Sequence, residues 1–181
     1  MGKNWIVTKV NRNYILRSGT KKFKCQVGAG GLKIHSKKRE GDKTTPIGKW
    51  KLKSIYYRSD KILKSIIKPK ILKINKITKN CGWCDDPNTN NYNKFINIKN
   101  LSSKNNNFEK LWREDQAYDI IIETSYNSQP IVKGKGSAIF IHCSFSDYRK
   151  TAGCVALKKK DLIILIKSLS KKTNLEIKNN F

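Results

Sequence analysis

The chain has 181 residues, with 39 Lys and Arg against 13 Asp and Glu, a formal charge of +26. Hydrophobic residues make up 38% and charged ones 29%, enough apolar material for one core, so residues 1–181 read as one domain. That content excludes a disordered chain, and no apolar run approaches the about eighteen residues that a membrane-spanning helix needs.

In chain order, the first third reads as short strands. Trp5 to Val10 alternates, Tyr14-Ile15-Leu16 follows, and Ser18-Gly19 marks a turn. Phe23, Cys25 and Val27 then alternate with Lys22, Lys24 and Gln26, the period of a half-buried strand. Gly28-Ala29-Gly30-Gly31 breaks the pattern, Ser36 to Pro46 reads as loop, and Lys49 to Lys53 alternates again. Lys61 to Ile67 suits a short helix or a strand that Pro69 stops, and Asn88 to Asn107 reads as mostly surface loop. Ile120-Ile121-Ile122 and Ala138 to Ile141 are short β-branched runs of the kind found in buried strands. Leu162, Leu165, Ile166 and Leu169 share one helical face between Lys159 and Ser170, and Leu175 with Ile177 suggests a last strand. The fold class is α+β, mainly β.

The charge favours nonspecific attraction to anionic polymers, because Lys and Arg displace counterions from phosphate. The basic residues spread over the whole chain with no nucleic-acid motif, so specific nucleic-acid binding is not expected. The first nine residues lack an apolar core of the secretory type, which keeps the cytoplasm as an alternative location. Five cysteines, Cys25, Cys81, Cys84, Cys143 and Cys154, cannot all pair within one chain. Cys81-Gly82-Trp83-Cys84 is half a zinc site by spacing, without a second pair to complete it. Neither Gly28–Gly31 nor Gly41–Lys49 has the spacing of a phosphate-binding loop.

The most informative segments are Ile139-Phe140-Ile141-His142-Cys143 and Thr151-Ala152-Gly153-Cys154-Val155-Ala156-Leu157. A His ends one apolar strand, and a Cys opens the next after a Gly. A thiol beside an imidazole is expected to form a thiolate–imidazolium pair, with the thiol pKa lowered by about two units from its usual value near 8.5. Amides around Gly153 and Cys154 are the expected oxyanion donors. By residue type alone, a buried inert Cys and a satisfied strand-end His are the favoured reading.

These segments resemble the L,D-transpeptidase catalytic domain family (YkuD-like), in a compact branch. The matching blocks are Lys38 to Asp42 with Thr45 to Gly48, Gly82 to Pro87, Leu111 to Asp115, Tyr126-Asn127, Gly134 to His142 and Thr151 to Leu157. The family's Ser-His-Gly-Cys signature reads Thr151-Ala152-Gly153-Cys154 here. The resemblance implies a β-sandwich or barrel-like core with a few helices. It implies acyl transfer on peptidoglycan stem peptides in the cell envelope, with no cofactor and no metal. Cys154 would be the nucleophile, His142 its base oriented by the Cys143 carbonyl, and Gly153 part of the oxyanion turn. Arg39, Trp83, Asp86, Trp112, Tyr126, Asn127 and Thr151 are the candidate substrate contacts. Two alternatives stay open: an L,D-carboxypeptidase or amidase on the same scaffold, and a non-catalytic basic module that binds polyanions.

Overall fold

The computed structural model describes residues 4–67, 71–101 and 107–179. Strands run over Trp5–Val10 (β1), Asn13–Ser18 (β2), Lys21–Gln26 (β3), Leu32–Ile34 (β4) and Thr45–Arg58 (β5). They continue with Lys73–Ile77 (β6), Cys81–Cys84 (β7), Phe95–Asn97 (β8), Phe108–Lys110 (β9), Ile120–Thr124 (β10), Phe140–Cys143 (β11), Val155–Leu157 (β12) and Asn174–Ile177 (β13), with one α-helix among the described residues, Lys159–Lys167 (α1).

The large sheet runs β10-β11-β12-β3-β2-β1-β13-β5, and β5 pairs back with β10, so it closes on itself like a barrel; β4 and β6 add to β5. Closure depends on the length of β5, whose first half pairs β13 (Gly48 to Lys51) and second half β10 (Leu52 to Tyr57). With no free edges left between these strands, the sheet avoids the liability of unpaired backbone. A separate sheet, β8-β7-β9, packs outside it.

Two apolar clusters result. Trp5, Val7, Leu16, Ile55, Ile120, Ile122, Ile141, Cys143, Val155 and Leu157 pack with Leu162, Leu165 and Ile166 of α1 in the larger one. Tyr56, Trp83, Leu111, Tyr118, Ile121, Phe140 and Cys154 form the smaller, under the outer sheet. Successive strand residues point to opposite faces, so Ile120 and Ile122 face one cluster while Ile121 faces the other. That two-sided burial explains the unbroken apolar run of β10.

Several sequence expectations shift. The strand expected at Ala138 begins at Phe140, because Ala138 has φ +51°, outside any strand. Pro46 belongs to β5, and Lys64–Ile67 is a 3-10 turn. Pro69 lies outside the described residues. The expected surface loop Asn88 to Asn107 holds β8, a 3-10 turn over Ile98–Asn100, and buried Tyr92, Asn93 and Ile96; its residues 102–106 are not described. Hydrogen bonding within the outer sheet, which local composition does not encode, makes the difference.

Candidate active site

β11 and β12 are parallel neighbours with His142 opposite Ala156. Cys154 precedes Ala156 by two residues and so faces the same side of the sheet as His142. Both line one cavity of about 450 Å³ between the barrel and the outer sheet, together with Glu40, Gly41, Lys43, Asp85, Glu109, Arg113, Tyr118, Ser137, Phe145, Thr151 and Gly153.

His142 is 2% exposed, and its Nδ1 lies 2.7 Å from the Cys143 carbonyl oxygen. A carbonyl only accepts, so Nδ1 carries the proton and Nε2 keeps its lone pair. Tyr118 presses edge-on against the imidazole at 5.2 Å between centroids, and Phe145 at 6.1 Å. Burial lowers the His142 pKa to about 4. The Cys154 thiol donates to the Ala138 carbonyl at 3.0 Å and accepts the Phe140 N–H at 3.3 Å. Burial, reinforced by the nearby charge of Glu109, pushes it up to about 12. The resting pair is therefore a neutral thiol and a neutral imidazole, and the thiolate–imidazolium pair expected from the sequence is not the ground state. Desolvation acts against the charged form of each group.

The turn before Cys154 is held by Thr151, whose hydroxyl donates to the Cys154 carbonyl at 2.6 Å and accepts the Gly153 N–H at 3.1 Å. Gly153 has φ +149°, and a Cβ there would meet the Thr44 carbonyl oxygen at 3.0 Å and Ile139 Cδ1 at 3.1 Å, so only glycine fits. Its carbonyl accepts from Thr45 Oγ1 at 2.7 Å, and the Gly28 N–H donates to the same Thr45 oxygen at 2.8 Å. The glycine run at 28–31 thus braces this turn: Ala29 N–H donates to the Thr151 carbonyl at 2.9 Å, and a Cβ on Gly28 would lie 2.2 Å from the Lys43 carbonyl oxygen.

Of the expected substrate contacts, only Thr151 lines the cavity, and it holds the turn rather than pointing to open space. Trp83 is 5% exposed, with its indole N–H on Asn93 Oδ1 at 2.9 Å and its edge against Phe140. Asp86 is buried and accepts the Asn88 N–H at 2.9 Å. Trp112 lies under the Arg58 guanidinium at 3.5 Å from its ring centroid. The Arg39 side chain donates to the Ser36 and Lys38 carbonyls. Tyr126 and Asn127 line a neighbouring groove with Trp50 and His35. Cys81 and Cys84 contact Thr78 and Thr89 respectively.

The residues that do line the cavity sit beside the ones picked from sequence. Asp85 replaces Asp86 and Arg113 replaces Trp112, each one position away in the same matching blocks. Both pairs lie in the loops that leave β7 and β9, where strand alternation does not say which side chain faces the cavity. Glu109 and Tyr118 carried no sequence signal. The Tyr118 hydroxyl donates to Glu109 Oε1 at 2.5 Å, and desolvation raises the pKa of Glu109. Asp85 is also raised by burial, and its Oδ1 is buried with no hydrogen-bond partner among the described residues. Three of the 13 carboxylates of this basic chain, Glu40, Asp85 and Glu109, therefore face one cavity.

Residues 3–177 match the family model for the L,D-transpeptidase catalytic domain, YkuD. Among solved structures, the chain is similar to L,D-transpeptidase 1 of Mycobacterium tuberculosis, known from a crystal structure at 1.89 Å, with 8% identity and a TM-score of 0.37. The match covers 98% of this chain and 63% of that one, so the chain spans somewhat under two thirds of its neighbour's length. No curated protein matches.

Proposed function

The chain belongs to the L,D-transpeptidase catalytic domain family, and from that premise we propose that residues 1–181 form one catalytic domain for cysteine-dependent acyl transfer on peptidoglycan stem peptides in the cell envelope. The observation that carries this reading is the placement of Cys154 and a neutral, oriented His142 on one face, in one cavity.

His142 Nε2 is the base. As a stem-peptide carbonyl enters, the thiol leaves the Ala138 carbonyl, gives its proton to Nε2, and sulfur attacks. A C–S bond forms as the carbonyl π electrons move onto oxygen. Because Thr151 occupies the Gly153 amide, the Cys154 amide takes the oxyanion role expected of both. Collapse breaks the C–N bond, the imidazolium protonates the leaving amine, and a thioester remains. An amine of a second stem then attacks, His142 takes its proton, and the thiol is restored. General-base transfer suits this site better than a standing ion pair, since charge is separated only while substrate fills the cavity.

Glu40, Asp85 and Glu109 line the wall beside Lys43 and Arg113, a mixed lining with partners for both the ammonium and the carboxylate of a peptide, on a chain whose net charge is +26. That charge also supports weak, sequence-independent binding to anionic polymers, falling steeply with salt. The test is incubation with a stem tetrapeptide, with and without an added amine acceptor. A cross-linked product supports transfer. Release of the terminal residue alone would make the protein a carboxypeptidase, and no thioester on Cys154 by intact mass would leave the polyanion-binding module.

A further inference from the structure

We infer that Asn93 is the positioning residue of the nucleophile: it fixes Ala138, whose carbonyl holds the Cys154 thiol. The inference rests on the acyl-transfer reading above and adds a residue from a segment whose composition reads as surface loop.

All four hydrogen-bonding positions of the Asn93 carboxamide are filled. Oδ1 accepts the Trp83 indole N–H at 2.9 Å and the Ala138 N–H at 3.0 Å. Nδ2 donates to the Asn127 carbonyl at 2.7 Å and the Tyr126 carbonyl at 3.2 Å. Two donors on one side and two carbonyls on the other fix the amide orientation without ambiguity. The side chain thereby joins β7, the turn after β10 and the segment leading into β11. Its neighbour Tyr92 grips the same segment, accepting the Gly136 N–H at 3.0 Å and donating to the cavity carboxylate Glu40 at 2.5 Å.

Ala138 is the point of leverage. Its φ of +51° is unfavourable for a residue with a Cβ, so the conformation must be held by its surroundings. The Asn93 bond to its N–H does this, and the same residue's carbonyl accepts the Cys154 thiol at 3.0 Å. Asn93 itself has φ +54°, which asparagine tolerates better than most residues. The chain of contacts is short: carboxamide, the backbone of one residue, thiol.

Asn93→Gly keeps the left-handed backbone and deletes the carboxamide. It should lower kcat on a stem peptide by roughly ten- to a hundredfold with little change in KM, the size of effect that a misplacement of about 1 Å produces. It should also speed iodoacetamide alkylation of Cys154 by roughly tenfold, because each unit of thiol pKa relieved raises the thiolate fraction tenfold. Alkylation of Cys25 and Cys143, followed by peptide mass spectrometry in the same sample, should stay as in the wild type. Rates rising together at all these cysteines, or no change at Cys154, would overturn the inference by making Asn93 merely structural. If Asn93→Gly fails to fold, Asn93→Ser takes its place: its short hydroxyl does not span the carboxamide's contacts, so Cys154 should again alkylate selectively faster, and an unchanged or uniformly raised rate would sink the inference. Absence of turnover by the wild-type protein would overturn the acyl-transfer reading instead, while the alkylation pattern would still judge Asn93.

Discussion

The barrel core and the cluster beneath the outer sheet each contain a buried thiol on adjoining strands, Cys143 at the end of β11 and Cys154 just before β12. Burial pushes both up to about 12, so titration does not separate them. Their company does. Cys143 points into the barrel toward the Ile120 carbonyl, 4.0 Å away, among Ile, Leu and Val. Cys154 points the other way, into a cavity shared with His142 and three carboxylates. The contrast between the two thiols thus lies in what surrounds them, an apolar interior for Cys143 and a polar cavity for Cys154.

The largest way to break that comparison is to remove the proposed nucleophile. Cys154→Ser should abolish a single covalent adduct with a carbapenem, whose strained ring carbonyl would take the place of the stem-peptide carbonyl. Intact-mass measurement reads this directly, and an adduct surviving in the variant would move the chemistry to another cysteine. Next in size, His142→Ala should slow acylation by roughly a hundred- to ten-thousandfold, the usual worth of a positioned base. A stopped reaction series by mass spectrometry measures it, and an unchanged rate would leave Cys154 without its assigned partner.

Acid should expose the cost of burying the imidazole. His142 ionises near 4 when folded against 6.5 for the free side chain. Between these values the unfolded chain binds a proton that the folded chain refuses, so stability falls as pH drops from about 6.5 to about 4 and is complete above that window. The contribution is on the order of 3 kcal/mol, at 1.36 kcal/mol per unit. Glu109 and Asp85, both raised, act with the opposite sign. The contribution is therefore read as the difference in urea midpoint against pH between wild type and His142→Gln. Parallel curves would mean a solvated His142. The smallest effect belongs to the other thiol: Cys143→Ala should cost about 1 kcal/mol in packing and leave kcat unchanged. A loss of turnover in the folded variant would erase the distinction between the two cysteines.

Much of this was legible before any coordinates. Alternation at Phe23, Cys25 and Val27, the β-branched run at Ile120 to Ile122, and the helical face of Leu162, Leu165 and Ile166 follow from side-chain periodicity, and each appears as an element. The His142 and Cys154 pair was legible through the resemblance of their segments to the family's motif blocks, since residue type alone favoured an inert Cys and a satisfied His. The long-range arrangement was not. Whether Asp85 or Asp86, Arg113 or Trp112, faces the cavity depends on the path of the loops that leave β7 and β9, which contacts far away in the chain set. The burial of Asn93 within a polar stretch, and the neutral resting state of Cys154 and His142, depend on which surfaces close over these groups. Periodicity is a local property that sequence carries. Desolvation is a property of assembled surfaces, and here tertiary packing alone decided it.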